Sequence, residues 1–275
     1  MESKTTSNNS NKESRHCEER SDAAISPIAF FDSGVGGLTV YKKLKELLPN
    51  ENYLYFGDTK NVPYGEKTPE ELLVIADKIF KFFESKHAKA VVMACNTTSA
   101  VVYDKIKAKY NFKIYPVIQS VAGVLAELPV KRLGVFATKA TVESGAYSRA
   151  IPCKEVFEIA PPEWVQMVES GNINADLVRK PLEKMLAFNP EKIVLGCTHY
   201  PYLLPVLTQF APADMFIDPA YYFAKFIASS LLPNVGEGGR RPDEGFYVSA
   251  NPENFVKAAK MFYEVKNIPD MIQLQ

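Results

Sequence analysis

Short unbroken apolar runs alternate along this chain with longer segments in which apolar residues recur every third or fourth position. The short runs predict strands at Ile28 to Phe31, Asn52 to Phe56, Val91 to Ala94, Lys113 to Val117 and Arg132 to Ala137. Further runs fall at Glu155 to Ile159, Ile193 to Gly196, Met215 to Ile217 and Gly245 to Ser249. The periodic segments predict helices over Leu38 to Leu48, Pro69 to Ser85, Ser99 to Tyr110, Thr141 to Ala150 and Trp164 to Glu169. They continue with Ala175 to Phe188, Leu203 to Phe210, Tyr221 to Leu232 and Pro252 to Val265. Continuous apolar strands alternating with helices imply parallel sheets covered on both faces. The expected fold class is α/β, with two doubly wound parallel-sheet domains and a ligand site in the cleft between them, beyond the carboxyl ends of the strands. The boundaries drawn are residues 27–122 plus 218–275 for the first domain and 123–217 for the second. Residues 1–26 are rich in Ser, Asn, Lys and Glu and read as a disordered extension.

Two segments resemble each other. Val91-Val92-Met93-Ala94-Cys95-Asn96-Thr97-Thr98 and Ile193-Val194-Leu195-Gly196-Cys197-Thr198-His199-Tyr200 each run from an apolar strand through a small residue to a cysteine and then polar side chains. This repetition suggests pseudo-symmetric halves, with one thiol in each. Two thiols flanking one carbon suit a reaction that removes a proton from one face and returns one to the other. A thiol at a helix N-terminus is expected to have a lowered pKa. His199 adds an imidazole two residues from Cys197, suited to moving protons near neutral pH. Cys153, beside Pro152 and without a polar cluster, reads as structural, and Cys17 lies in the extension.

Composition narrows the classes. Apolar residues make up 47% of the chain, enough for a sizeable core, and Lys plus Arg balances Asp plus Glu at 32 each. No global field draws the protein to nucleic acid or to a membrane surface. No apolar run approaches a membrane span. The extension carries Glu2, Glu13, Glu18, Glu19 and Asp22 and lacks the apolar middle of a signal peptide, so a reducing, cytoplasmic setting is expected. The cysteines lack metal-ligand spacing. Asp32-Ser33-Gly34-Val35-Gly36-Gly37 departs from the dinucleotide fingerprint, and no Walker lysine follows it. No metal or other cofactor is expected. The glycines of that turn have two readings of equal weight: N–H donors exposed to a carboxylate or phosphate, or a tight strand-to-helix turn with Asp32 as its cap. The loop Val62-Pro63-Tyr64-Gly65-Glu66 offers Tyr64 and the Gly65 amide to a polar group.

Taken together, these residues resemble the glutamate racemase branch of the cofactor-independent aspartate/glutamate racemase superfamily. The likeness rests on Phe31 to Leu38, Gly57-Asp58-Thr59, Val62 to Gly65 and Ala94 to Thr97. It continues through Thr138 to Thr141, Val168-Glu169 and Gly196 to Pro201. The resemblance implies interconversion of L- and D-glutamate at the α-carbon, supplying D-glutamate for peptidoglycan. It implies that Cys95 takes the proton from D-glutamate with help from Asp32. Cys197 would take it from L-glutamate with help from His199 and Glu169. It assigns Ser33, Pro63, Tyr64, Gly65, Asn96, Thr97, Thr138 and Thr198 to holding the substrate. The implied partner is glutamate itself, without nucleic acid or membrane, and a homodimer is compatible with the sequence. The chain departs from the pattern at Ala137, at Asp218-Pro219-Ala220 and in its long polar extension.

The chemistry accounts for these residue types. An amino acid's α-hydrogen is very weakly acidic. Donors around the carboxylate must therefore stabilise the charge that grows there. One base tends to return the proton to the face it left, whereas two bases on opposite faces invert the centre. Three alternatives stand beside this reading. One is a racemase of the same superfamily acting on aspartate or a hydantoin. The second is a Cys–His hydrolase using Cys197 and His199, which leaves Cys95 without a role. The third is a two-lobed binding protein, which has no use for matched thiols.

Overall fold

A computed structural model describes residues 26–231 and 243–274. The expected disordered extension, apart from Ser26, lies outside the described residues, as does the Gly-rich segment from 232 to 242.

Ten strands are present among the described residues: β1 Ile28–Asp32, β2 Tyr53–Gly57, β3 Ala90–Met93, β4 Lys113–Pro116, β5 Arg132–Ala137, β6 Glu155–Ile159, β7 Lys192–Gly196, β8 Phe216–Ile217, β9 Glu244–Val248 and β10 Asp270–Met271. They form two sheets, ordered β10-β9-β2-β1-β3-β4 and β6-β5-β7-β8. Every pairing is parallel. The chain completes most of the first sheet, builds the second, and returns through β9 and β10 to the first sheet's edge. The two-residue β10 has no counterpart in the sequence reading.

Alternation within β1 explains why its sheet is covered twice. Ile28 and Phe30 belong to one core cluster, whereas Ala29 and Phe31 belong to another. On the Phe31 face, helix Pro69–Ser85 buries Leu72, Ala76, Ile79, Phe80 and Phe83. That helix starts at a capping box in which Thr68 and Glu71 satisfy each other's backbone N–H groups. On the Phe30 face, helices Leu38–Leu47 and Pro219–Leu231 bury Tyr41, Leu44, Phe223 and Ile227. The Phe30-side cluster is continuous with the second sheet's core, including Leu133, Val135, Trp164 and Ile193. The two sheets therefore share packed hydrophobic contacts.

Several helices are shorter than periodicity predicts. The segment after β3 forms helix Asn96–Val101 and then a separate turn, Tyr103–Ile106. Gly145, in the left-handed region at φ 61°, divides Lys139–Ser144 from Ala146–Ala150. After β7 the chain makes a 3-10 turn over Tyr200–Leu203 before the short helix Leu204–Leu207, with Pro201 and Pro205 in their first turns. The last helix stops at Ala259.

Register brings the strand ends together. Asp32 pairs with Gly57 and Phe31 with Met93 in the first sheet. Ala137 pairs with Gly196 in the second. Asp32, Asp58 and Cys95 therefore emerge at one end of the first sheet, and Thr138 and Cys197 at one end of the second.

Candidate active site

The ends of both sheets line one cleft of about 160 Å³. The first sheet's side contributes Ser33, Pro63, Tyr64, Gly65, Cys95, Asn96 and Thr97. The second contributes Thr138, Cys197, Thr198 and His199. Two residues named from sequence stand outside this lining. Asp32 is fully buried beneath it, and Glu169 lines a neighbouring cavity behind His199.

Cys95 caps the helix Asn96–Val101 and is buried. Its carbonyl accepts from Ser99 N at 3.0 Å and Thr98 Oγ1 at 3.1 Å. The helix N-terminus does not lower this thiol's pKa, contrary to the sequence expectation. Burial pushes it up to about 12, with the negative charge of Asp32 adding to the rise, and hydrogen bonds from Thr98 offset only part. The amide and hydroxyl of Thr98 in the helix's first turn stabilise the thiolate, but by less than desolvation destabilises it.

Cys197 follows β7 directly, and the turn is closed by Tyr200 N donating to Cys197 O at 3.1 Å. Cys197 Sγ lies 3.7 Å from His199 Nδ1, while His199 Nε2 lies 2.6 Å from Glu169 Oε1. Glu169 comes from helix Trp164–Ser170. Burial alone would pull the imidazole's pKa down. The hydrogen bonds and negative charge of Cys197 and Glu169 outweigh it and hold His199 well above the usual histidine value.

The glycine-rich turn follows the second of its two sequence readings, a tight turn capped by Asp32. Gly34 N donates to Asp32 Oδ2 at 3.1 Å, and Gly37 N also bonds this carboxylate. The donors thus serve a buried side chain of the same turn. Burial raises the Asp32 pKa, and the His199 charge and these two amides oppose the rise. Gly36 also lets the other half approach. A Cβ there would collide with Thr198 and lie 3.0 Å from His199 Nδ1. Thr198 Oγ1 in turn donates to Asp32 Oδ1 at 3.5 Å, joining the two halves beneath the cleft.

A second bridge runs through hydroxyls. Thr97 Oγ1 lies 2.8 Å from Thr138 Oγ1, which lies 3.0 Å from Thr141 Oγ1. Gly65 packs against Thr138, where a Cβ would come within 2.9 Å of the threonine's own.

Several contributors escaped assignment from sequence. Asp58 is fully buried and accepts from Tyr64 Oη and from Asn61 Nδ2, at 2.9 and 3.0 Å to its two oxygens, so it anchors the loop that carries Pro63 to Gly65. Its position in the Gly57-Asp58-Thr59 motif was the available signal. Lys139, Pro161, Pro162, Val165 and Gln166 also line the cleft, and Lys139 pairs with Glu66 at 3.7 Å across its mouth. Among the described residues no cluster of His, Cys, Asp or Glu could hold a metal ion, and no helix is long and apolar enough to cross a membrane.

Matched thiols thus stand at equivalent strand ends of two parallel sheets and line one small cleft. The chain belongs to the Asp/Glu/hydantoin racemase family, whose model matches residues 33–226. It is 40% identical over 250 residues to "Glutamate racemase 2" of Caldanaerobacter subterraneus subsp. tengcongensis, covering 86% of this chain and 92% of that protein. Its structure is similar to that of glutamate racemase from Francisella tularensis in complex with D-glutamate, with a TM-score of 0.83 and 31% identity. The match covers 91% of this chain and 98% of that one. The glutamate racemase isoform from Bacillus anthracis gives a TM-score of 0.81 at 26% identity, over 90% of this chain and 98% of that one.

Proposed function

We propose that this protein is a glutamate racemase that interconverts the enantiomers with Cys95 and Cys197 on opposite faces of the α-carbon. The observation that carries this reading is that both buried thiols line one cleft, each with its own acid–base neighbour. The substrate lies between a lobe that carries Asp32 and Cys95 and a lobe that carries Glu169, Cys197 and His199.

In the L-to-D direction Cys197 acts as thiolate, paired with the His199 imidazolium that Glu169 holds in place. It takes the α-proton, and the Cys95 thiol delivers a proton to the other face. In the D-to-L direction the roles reverse, with Asp32 beside Cys95. The high pKa of the buried Cys95 suits the donor role in the first direction. Ser33, Asn96, Thr97, Thr138 and Thr198 supply donors to the carboxylates. The loop of Pro63, Tyr64 and Gly65 closes one wall. Donors at the α-carboxylate stabilise the enediolate-like charge as the proton leaves. After each turnover the thiol and thiolate have exchanged, so the pair titrates as one coupled system. The product serves peptidoglycan synthesis, and the enzyme acts in the cytoplasm.

Circular dichroism of L- and D-glutamate incubated with purified protein tests the reading, with deuterium uptake at the α-carbon in parallel. Both enantiomers should converge on the racemate with one deuterium incorporated. Turnover of aspartate in preference to glutamate would move the protein to the other substrate class. An acyl intermediate without α-exchange would favour the Cys–His hydrolase.

A further inference from the structure

One buried side chain touches both thiol-bearing turns. Tyr147 is the second residue of the helix Ala146–Ala150, which follows the left-handed Gly145, and it is fully buried. Its ring lies over Gly196, the residue before Cys197. A Cβ on Gly196 would lie 2.9 Å from the ring's Cε2 and 3.1 Å from Cζ, so the missing side chain is the seat of the ring. Its hydroxyl donates to Asn96 Oδ1 at 2.8 Å. Asn96 is the residue after Cys95, only 4% exposed, and it lines the cleft. Tyr147 thus spans from one matched cysteine segment to the other.

We propose that Tyr147 is a positioning residue of the racemase site, which orients the Asn96 amide so that its NH2 group faces the substrate carboxylate and ties the two cysteine turns together. The inference rests on the glutamate racemase reading above. A side-chain amide presents either an acceptor or two donors to a ligand, and the two faces are nearly the same shape. A carboxylate can only accept. The amide is useful only with its oxygen turned away, and Tyr147 engages that oxygen. A phenol held in apolar surroundings stays protonated, because burial raises the Tyr147 pKa, with the charges of Glu158 and Cys197 adding to it. The donated bond therefore persists throughout the working pH range.

The test is a double-mutant cycle on purified enzyme, read by circular dichroism with D- and L-glutamate. Y147F keeps the ring over Gly196 and removes only the hydroxyl. It should raise KM about tenfold, the worth of one well-placed hydrogen bond, and lower kcat as well, since the charge on the α-carboxylate grows as the proton leaves. N96A should raise KM more, and adding Y147F to N96A should cost nothing further, because Tyr147 acts through Asn96. N96D, which keeps an acceptor for Tyr147 but turns an oxygen toward the substrate, should bind glutamate worse than N96A does. This variant tests the amide orientation independently of how well Y147F folds. An unchanged KM in Y147F, multiplicative losses in the double variant, or wild-type affinity in N96D would overturn the assignment. A wild-type protein that racemises no glutamate would instead overturn the functional reading, and this inference with it.

Discussion

Glu169 Oε1 lies 2.6 Å from His199 Nε2, on the side of the imidazole away from Cys197. The carboxylate belongs to helix Trp164–Ser170 and the imidazole to the turn after β7, so two separate elements of the second sheet's half build one run of contacts from Glu169 through His199 to Cys197. A Cβ at Gly34 would lie 2.9 Å from the same Oε1, so the first sheet's glycine turn closes over that carboxylate.

Glu169→Gln preserves the shape of this contact but removes its charge. The His199 pKa, held up against burial by Cys197 and Glu169, should fall. The alkaline limb of kcat/KM for L-glutamate should then move to lower pH, as a pH–rate profile would reveal. A histidine whose folded pKa exceeds its unfolded value of about 6.5 contributes stability that is complete below that value and lost as pH rises through the folded one. Urea denaturation should accordingly show a larger wild-type advantage over E169Q near pH 6 than near pH 9.

The cysteines should separate cleanly. Cys95→Ser and Cys197→Ser should each lower racemisation by at least about 10²-fold, because each face needs its own acid–base group. Cys153 is exposed, and Cys153→Ser should leave the rate nearly unchanged. Full racemisation by Cys197→Ser in the circular dichroism assay would end the two-base mechanism.

Asp32 and His199 should differ in which enantiomer they serve. The enantiomers are equally stable in achiral solvent, so any variant must lose kcat/KM equally in both directions. Isotope effects are free to diverge, because they report which proton transfer limits each direction. Asp32→Asn and His199→Asn should each lower kcat/KM by about 10²- to 10⁴-fold. They should differ in which α-deuterated enantiomer shows the larger primary isotope effect. Identical patterns would remove the assignment of the two groups to opposite faces.

Asp58 is a structural anchor with a functional consequence. Asp58→Ala leaves the buried Tyr64 hydroxyl and the Asn61 amide without their acceptor. A loss of about 1–3 kcal/mol is expected in urea denaturation, the usual cost of an orphaned buried donor. The KM for glutamate should rise as the loop from Pro63 to Gly65 loosens. Wild-type values for both quantities would show that the loop holds its shape without the carboxylate.

Much of this protein is legible along the chain. Apolar runs such as Val91 to Met93 and Ile193 to Leu195 marked buried strands, because a strand covered on both faces has no polar side to display. The matched cysteines stand just after them, at the strand ends where such sheets expose polar groups. Helix lengths were less legible after β5 and β7, where a left-handed Gly145 and prolines at 201 and 205 override periodicity.

The sequence by itself determined the alternation of elements, the two thiols and the histidine beside one of them, since these depend on residue order and local periodicity. Only the tertiary structure decided that Gly34 and Gly37 spend their amides on Asp32, that burial lifts the Cys95 thiol, and that Asp58 anchors Tyr64. It alone brought Tyr147 against both Asn96 and Gly196, across separations of 51 and 49 positions in the chain. The physical reason is that desolvation and hydrogen-bond geometry depend on what packs around a group in space. In a parallel sheet those neighbours arrive from crossover connections that local sequence patterns do not record.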